Sequence, residues 1–154
     1  MKTQIESTTS AAPSVGILNA QPYLCFDGRT DEALGHYGRI LDAEVLSLIR
    51  FKDRPEACQH NPEMAEKVLQ ASFRVGCATL FASDCHCGSE PAFEGISLAL
   101  TVSNDAEAEQ RFESLAKAGQ IRQPLIPTFF ATRFGVVTDL FGVTWMILAN
   151  PTES

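Results

Sequence analysis

Runs of apolar residues with two different periods divide the chain into two similar halves. Ala20 to Phe26 places Tyr23, Leu24, Cys25 and Phe26 in a row, which predicts a strand, and Asp27-Gly28 ends it. From Thr30 to Leu41 the residues Ala33, Leu34, Tyr37, Ile40 and Leu41 fall on one helical face. Asp31 and Glu32 occupy its first turn, where the helix dipole favours anions. Glu44 to Phe51 reads as a second strand. Lys52 to Lys67 holds Pro55 and Pro62 and little periodicity, so it reads as a loop with room for one helical turn. Val68 to Val75 and Ala78 to Ser83 form an antiparallel hairpin joined at Gly76-Cys77.

The pattern then restarts. Ile96 to Val102 is a strand, and Asn104 with Glu107 three residues on is close to a capping box. Ala108, Phe112, Leu115 and Ala116 make a helical stripe that stops at Gly119, read as the left-handed residue after the helix. Gln120 to Arg122 is a short strand and Gln123 to Thr132 a loop. Arg133 to Thr138 and Val143 to Ala149 form a last hairpin around Leu140-Phe141-Gly142. An offset of about 75 residues superposes Ala33 on Ala108, Tyr37 on Phe112 and Ile40 on Leu115. The pattern is that of an internal duplication, an α+β fold of tandem βαβββ modules forming a curved mixed sheet cup with helices outside.

Composition sets the frame. With 154 residues the chain is one domain by default, and its apolar share of 45% suits an ordinary globular core. We divide it into a tail at 1–14, polar and small in composition, and a single domain at 15–154, with modules at about 15–90 and 91–150. A net charge of −7 repels nucleic acid and anionic lipid, so neither is an expected partner. No apolar run approaches the roughly 20 residues of a membrane span, and the N-terminal stretch lacks the apolar centre of a secretion signal. The five cysteines (25, 58, 77, 85 and 87) are an odd number. Reduced thiols in a cytoplasmic protein are the expectation.

The tandem order, together with several motifs, resembles the vicinal-oxygen-chelate superfamily of glyoxalase I, extradiol dioxygenases and bleomycin-resistance proteins. The motifs are similar to its PhnB-like branch, often labelled 3-demethylubiquinone-9 3-methyltransferase-like. They are Gln21-Pro22-Tyr23-Leu24-Cys25-Phe26-Asp27-Gly28, Glu32-Ala33 with Tyr37, and Leu80 to Asp84. The most specific runs from Pro124-Leu125 to Trp145-Met146-Ile147, through Thr128, Phe129, Arg133-Phe134-Gly135, Thr138-Asp139 and Phe141-Gly142. Gln70 stands where the branch commonly has His, and Phe130 where it commonly has Trp. The methyltransferase label implies little, because the doubly wound sheet and glycine-rich first turn of classical methyl transfer are not evident here.

The resemblance implies metal ligands near Gln21, Phe81, Ser97 and Met146, and none of these suits Zn²⁺, Ni²⁺ or Fe²⁺. No metal or other cofactor is therefore expected. Cys85-His86-Cys87 with Cys58 and His60 offers soft ligands, but not at a zinc-finger spacing, and polar loops are the simpler reading. His36 reads as a packing residue of the first helix, His60 as solvated and His86 as a turn residue. Asp84 reads as a turn cap. Arg133 is either an outward ion-pair partner or an inward anion clamp. Phe129 and Phe130 would be costly if exposed, so they cover the cup or fill a partner interface. Ligand pockets are mostly apolar with a few placed polar groups. The site is accordingly expected at Gln21, Gln70, Phe130, Arg133 and Trp145 around one cavity. The expected function is binding, and conversion if any, of a small organic molecule without a metal, in a homodimer. The alternatives are a metal-dependent lyase, isomerase or dioxygenase, and a non-catalytic sequestering protein.

Overall fold

The computed structural model describes residues 16–54, 62–84 and 92–151. The first half runs β1 (Tyr23–Cys25), α1 (Thr30–Ile40), β2 (Glu44–Arg50), two short 3-10 turns, β3 (Val68–Val75) and β4 (Ala78–Ser83). The second runs β5 (Leu98–Val102), α2 (Asp105–Ala116), β6 (Gln120–Ile126), β7 (Arg133–Thr138) and β8 (Thr144–Ala149). The sheets are ordered β1-β4-β3-β2 and β5-β8-β7-β6, the same order shifted by one module. In each, the first strand pairs parallel with the last and the other pairs are antiparallel. Ala33 and Ala108 are both wholly buried under their helices, as the internal offset requires. The expected α+β duplication is present. Among the described residues its sheet comes as two four-stranded halves with no ladder between them, and β1 and β5 are edge strands.

Several element boundaries differ from the sequence reading, by one residue at the ends of α1 and β2 and the start of β8, and by more in β1, β5 and β6. β1 is shorter, because Pro22 ends the ladder, although its carbonyl still accepts from the Phe81 N–H at 2.9 Å. β5 starts at Leu98 rather than Ile96. β6 continues to Ile126 through Pro124, where a loop was expected. Proline is tolerated there because β6 is an edge strand, and its ladder slips at Ile121/Gln123 and again at Gln123/Ile126.

Strand alternation sorts each sheet into a buried and an open face. Ala71, Phe73, Leu80 and Ala82 of the first sheet, and Val137, Trp145, Ile147 and Ala149 of the second, are buried in one shared core. Tyr37 of α1 joins the halves: its ring stacks on Phe73 at 6.2 Å and meets Trp145 edge-on at 5.6 Å.

The two helices start differently. Asn104 accepts a hydrogen bond from the Glu107 N–H at 2.8 Å, the expected cap, while the Glu107 carboxylate turns to Arg111 instead of closing a box. α1 has no cap of its own. Its first turn is held from a distance by Asp84, which is wholly buried. Asp84 Oδ1 accepts from the Gly28 N–H (2.7 Å), the Thr30 N–H (2.9 Å) and the Thr30 hydroxyl (2.6 Å), and Oδ2 accepts from the Val68 N–H (2.9 Å). The expected turn cap is thus a four-bond tie between β4, α1 and β3.

At the end of α2 the left-handed residue is Ala118, with φ 62°, not Gly119. Gly119 is needed for proximity: a Cβ there would lie 2.3 Å from the Thr138 carbonyl oxygen. Cys25 is disulfide-bonded, which corrects the expectation of uniformly reduced thiols. Cys77 is the free cysteine among the described residues. No described helix is long and apolar enough to cross a membrane.

Candidate functional site

The open faces of the two sheets carry the polar and aromatic groups that the core excludes. On the first sheet, Tyr23 and Phe81 are paired across β1 and β4, with ring centroids 6.1 Å apart. Beside them the Ser47 and Ser72 hydroxyls share a hydrogen bond of 2.8 Å. On the second sheet, Met146, Val136 and Thr138 share the open face, with Thr138 and Thr144 hydroxyls 2.9 Å apart. The Arg122 Nε–H donates to the Thr138 hydroxyl oxygen at 3.0 Å. These surfaces are accessible: Tyr23 is 51% exposed, and β6 is exposed along almost its whole length.

The five expected site residues divide between the two sides of the sheets. Gln21 and Gln70 belong to the open face of the first sheet. The Gln21 amide N–H donates to the Thr79 carbonyl at 2.8 Å, and Gln70 is exposed beside Ile49. Phe130 packs edge-on against Phe134, 5.1 Å between centroids, at the end of the second sheet. Phe129, its neighbour, is 94% exposed. Arg133 and Trp145 point to the helix side. Arg133 pairs with Asp105 at 3.4 Å and Glu109 at 3.6 Å on α2, so it is the outward ion-pair partner and not an anion clamp. Trp145 is buried, and its Nε1–H donates to Asp139 Oδ2 at 2.9 Å. It also borders a hollow of about 110 Å³ between the modules, with Pro22, Leu80 and Leu100. The expectation of one cavity lined by all five is therefore corrected. Arg133 and Trp145 share the α2 side of the second sheet, where a Cβ on the intervening Gly135 would lie 2.7 Å from the Phe112 ring, whereas the two glutamines lie on the open face of the first sheet.

Asp139 is the residue the sequence reading passed over. It is 3% exposed and accepts four hydrogen bonds. Oδ1 takes the Phe141 and Val143 N–H groups at 2.9 and 3.0 Å, and Oδ2 takes the Tyr37 hydroxyl at 2.6 Å and the Trp145 indole. Burial and the neighbouring Asp139 charge push the Tyr37 hydroxyl far above its usual range, so it stays a donor. The adjoining Thr138-Asp139 and Phe141-Gly142 dipeptides were the available signal.

His36 lies between Tyr37 and Phe141, ring centroids 5.9 and 5.7 Å away, and its buried Nε2 has no hydrogen-bond partner. Burial lowers its pKa below 6.5, although the Asp139 charge opposes this. A lowered imidazole pKa means that the unfolded chain takes up the proton first as pH falls. Stability contributed here is complete above about pH 6.5 and decreases as pH drops toward the folded value. The urea midpoint of the wild type is expected to fall between pH 7.5 and 5.5 by more than that of His36→Phe. Parallel pH profiles would contradict this.

The positions where metal-using relatives of this fold would place ligands offer a poor donor set. Gln21, Phe81, Ser97 and Met146 supply no imidazole, carboxylate or thiolate. No cluster of three His, Cys, Asp or Glu suited to a metal occurs among the described residues. Cys58, His60, Cys85, His86, Cys87 and the 1–14 tail lie outside those residues.

Tandem βαβββ modules with these sheet orders define a glyoxalase-like protein of the vicinal-oxygen-chelate class. A glyoxylase/bleomycin resistance protein/dioxygenase domain from Frankia sp. EAN1pec has the same fold, at 17% identity with a TM-score of 0.57 over 89% of this chain and 93% of that one. Within that class the chain belongs to the PhnB-like family described as 3-demethylubiquinone-9 3-methyltransferase, whose model matches residues 19–148. Protein YjdN of Escherichia coli K12 is 34% identical over 134 residues, covering 82% of this chain and 91% of YjdN. The crystal structure of PA1353 from Pseudomonas aeruginosa is 37% identical with a TM-score of 0.75, over 86% of this chain and 98% of that one.

Proposed function

We propose that the chain binds a small, mostly uncharged organic molecule on the open faces of its sheets, without a metal and as a homodimer. The observation that carries this reading is the contrast between faces. The helix sides are packed core, while the open sides present the Tyr23–Phe81 pair and hydroxyl pairs to solvent. Aromatic surface with a few placed hydrogen-bonding groups suits a planar ligand bearing carbonyl or hydroxyl functions. Dimerisation would cover Phe129 and the free edges of β1 and β5, which otherwise invite association. Methyl transfer is not part of this reading, because two small mixed sheets provide no doubly wound cofactor crevice.

Native mass spectrometry of the purified chain, followed by titration with the molecule it releases, tests the reading. Tyr23→Ala with Phe81→Ala is expected to weaken binding about 5- to 150-fold, at about 1–3 kcal/mol for two lost aromatic contacts. EDTA is expected to leave binding unchanged. Binding that vanishes with EDTA and returns with Zn²⁺, Ni²⁺ or Fe²⁺ would favour the metal-dependent lyase, isomerase or dioxygenase instead. Binding with no turnover of the ligand would place the chain among sequestering proteins. A monomeric mass by light scattering at micromolar concentration would overturn the dimer.

A further inference from the structure

The duplication allows the two open faces to be compared position by position. Each module bends its outer strand with a bulge at the same place. In β2 the extra residue is Leu46, between Val45 opposite Phe73 and Ser47 opposite Ser72. In β6 it is Arg122, between Ile121 opposite Val137 and Gln123 opposite Val136. A bulge re-aims the side chain it adds, and here it carries Arg122 over the open face to Thr138. Charge is handled differently on the two sheets. On the first, Arg74 lies opposite Glu44 in the ladder and pairs with it. On the second, Gln120 stands opposite Thr138 in the place of Glu44, and strands β5 to β8 contain no Asp or Glu in a chain with nineteen acids. Arg133, the other arginine of that sheet, is committed to Asp105 and Glu109 on the α2 side. Arg122 is thus the single charge that these strands present on the open face, in a chain of net charge −7. Its guanidinium is anchored at one end. Nε–H donates to the Thr138 hydroxyl, while Nη1 and Nη2 have no hydrogen-bond or ion-pair partner among the described residues. The Thr138 and Thr144 hydroxyls each carry a proton, and their mutual bond uses only one of the two, so an O–H is left to donate. Val136 and Met146 lie beside this donor set on the same face.

We propose that Arg122 anchors a carboxylate, so that the ligand of the open face is a small organic acid with an uncharged body. The inference rests on the open-face reading above and narrows its ligand. The planar fork of an arginine matches a carboxylate through two parallel N–H···O bonds. The strands around it supply no negative charge to repel the anion, against the sign of the chain as a whole. The body of the acid would lie on Val136 and Met146, with the free threonine O–H as a further donor to the carboxylate.

The test is an NMR titration of the full chain with benzoate at constant ionic strength, with its neutral isostere benzamide and inorganic phosphate as opposing probes. Benzoate is expected to give saturable shifts at the Arg122 Nε–H, Thr138 and Thr144. It is expected to bind about tenfold more tightly than benzamide, the size of one charge-assisted contact. Arg122→Gln is expected to bring benzoate down to the level of benzamide, and Arg122→Lys, which keeps the charge without the fork, to fall between. Arg122 is exposed, so both variants keep the fold. Arg39→Gln, which removes another exposed arginine, is expected to leave the affinity unchanged. Equal affinity for benzoate and benzamide, or benzoate binding indifferent to Arg122→Gln, would overturn the carboxylate anchor and leave the open-face reading standing. Phosphate giving the same saturable shifts would also overturn it, as adhesion of any anion. Shifts on neither open face with either benzoate or benzamide would overturn both.

Discussion

Asp139→Ala is expected to destabilise the chain by about 3–5 kcal/mol, because four buried donors lose one acceptor at once. The substitution leaves the Tyr37 hydroxyl, the Trp145 indole N–H and two backbone N–H groups facing a void. Each is a buried donor that loses its acceptor without regaining water, at roughly 1–3 kcal/mol per group. The losses do not sum fully, because the site relaxes. Tyr37→Phe removes one donor and keeps the ring contacts with Phe73 and Trp145, so it is expected to cost about 1.5–3 kcal/mol. Urea unfolding of both variants and of the double variant gives the coupling. A coupling below about 0.5 kcal/mol would show that the two groups act independently, against the 2.6 Å contact.

Asp84→Ala is expected to have an effect of similar size, about 3–5 kcal/mol for four buried donors left without an acceptor, but with a different local signature. Its carboxylate holds the entry to α1 and the start of β3 rather than the junction between modules. Hydrogen exchange is therefore expected to speed up most at Gly28, Thr30 and Val68 in Asp84→Ala, and at Phe141 and Val143 in Asp139→Ala. Asp84→Asn is the sharper variant. The amide retains volume but must turn its NH₂ toward one set of donors, either the three on Oδ1 or the Val68 N–H. Full wild-type stability in Asp84→Asn would show that the carboxylate charge is dispensable.

Much of the fold was legible because apolar spacing reports which face of an element is buried. Ala33, Tyr37, Phe112 and Leu115 are buried as their helical phase requires, and both hairpins fall where Gly76 and Gly142 break the strands. Among the boundaries that moved, the largest shift is where prolines suggested an end. Pro124 sits in β6 because an edge strand does not need every N–H. The site was less legible, because the face of a residue in a strand depends on register, and register is set by partners far away in sequence. Arg133 and Trp145 differ by an even number of residues and sit in neighbouring strands. Only the ladder, with Arg133 opposite Ala149 and Val137 opposite Trp145, shows that both face the helices. Acidic residues misled in the same way. Asp84 and Asp139 look like turn residues, and nothing local announces that Asp84 gathers all four of its donors from distant segments or that Asp139 adds the Tyr37 hydroxyl, 102 residues away, to three near donors.

The unlike beginnings of the two helices bear on how the chain acquires its structure. α2 carries its cap three residues from the N–H it serves, so its first turn can form from local contacts alone. The first turn of α1 waits for Asp84, 54 residues away in sequence, and so for closure of a long loop. Two modules with one topology thus reach it by different routes. In the transition state for folding, contacts in α2 are free to be present while the start of α1 stays unformed, as φ-values near zero at Thr30 and fractional values along α2 would record.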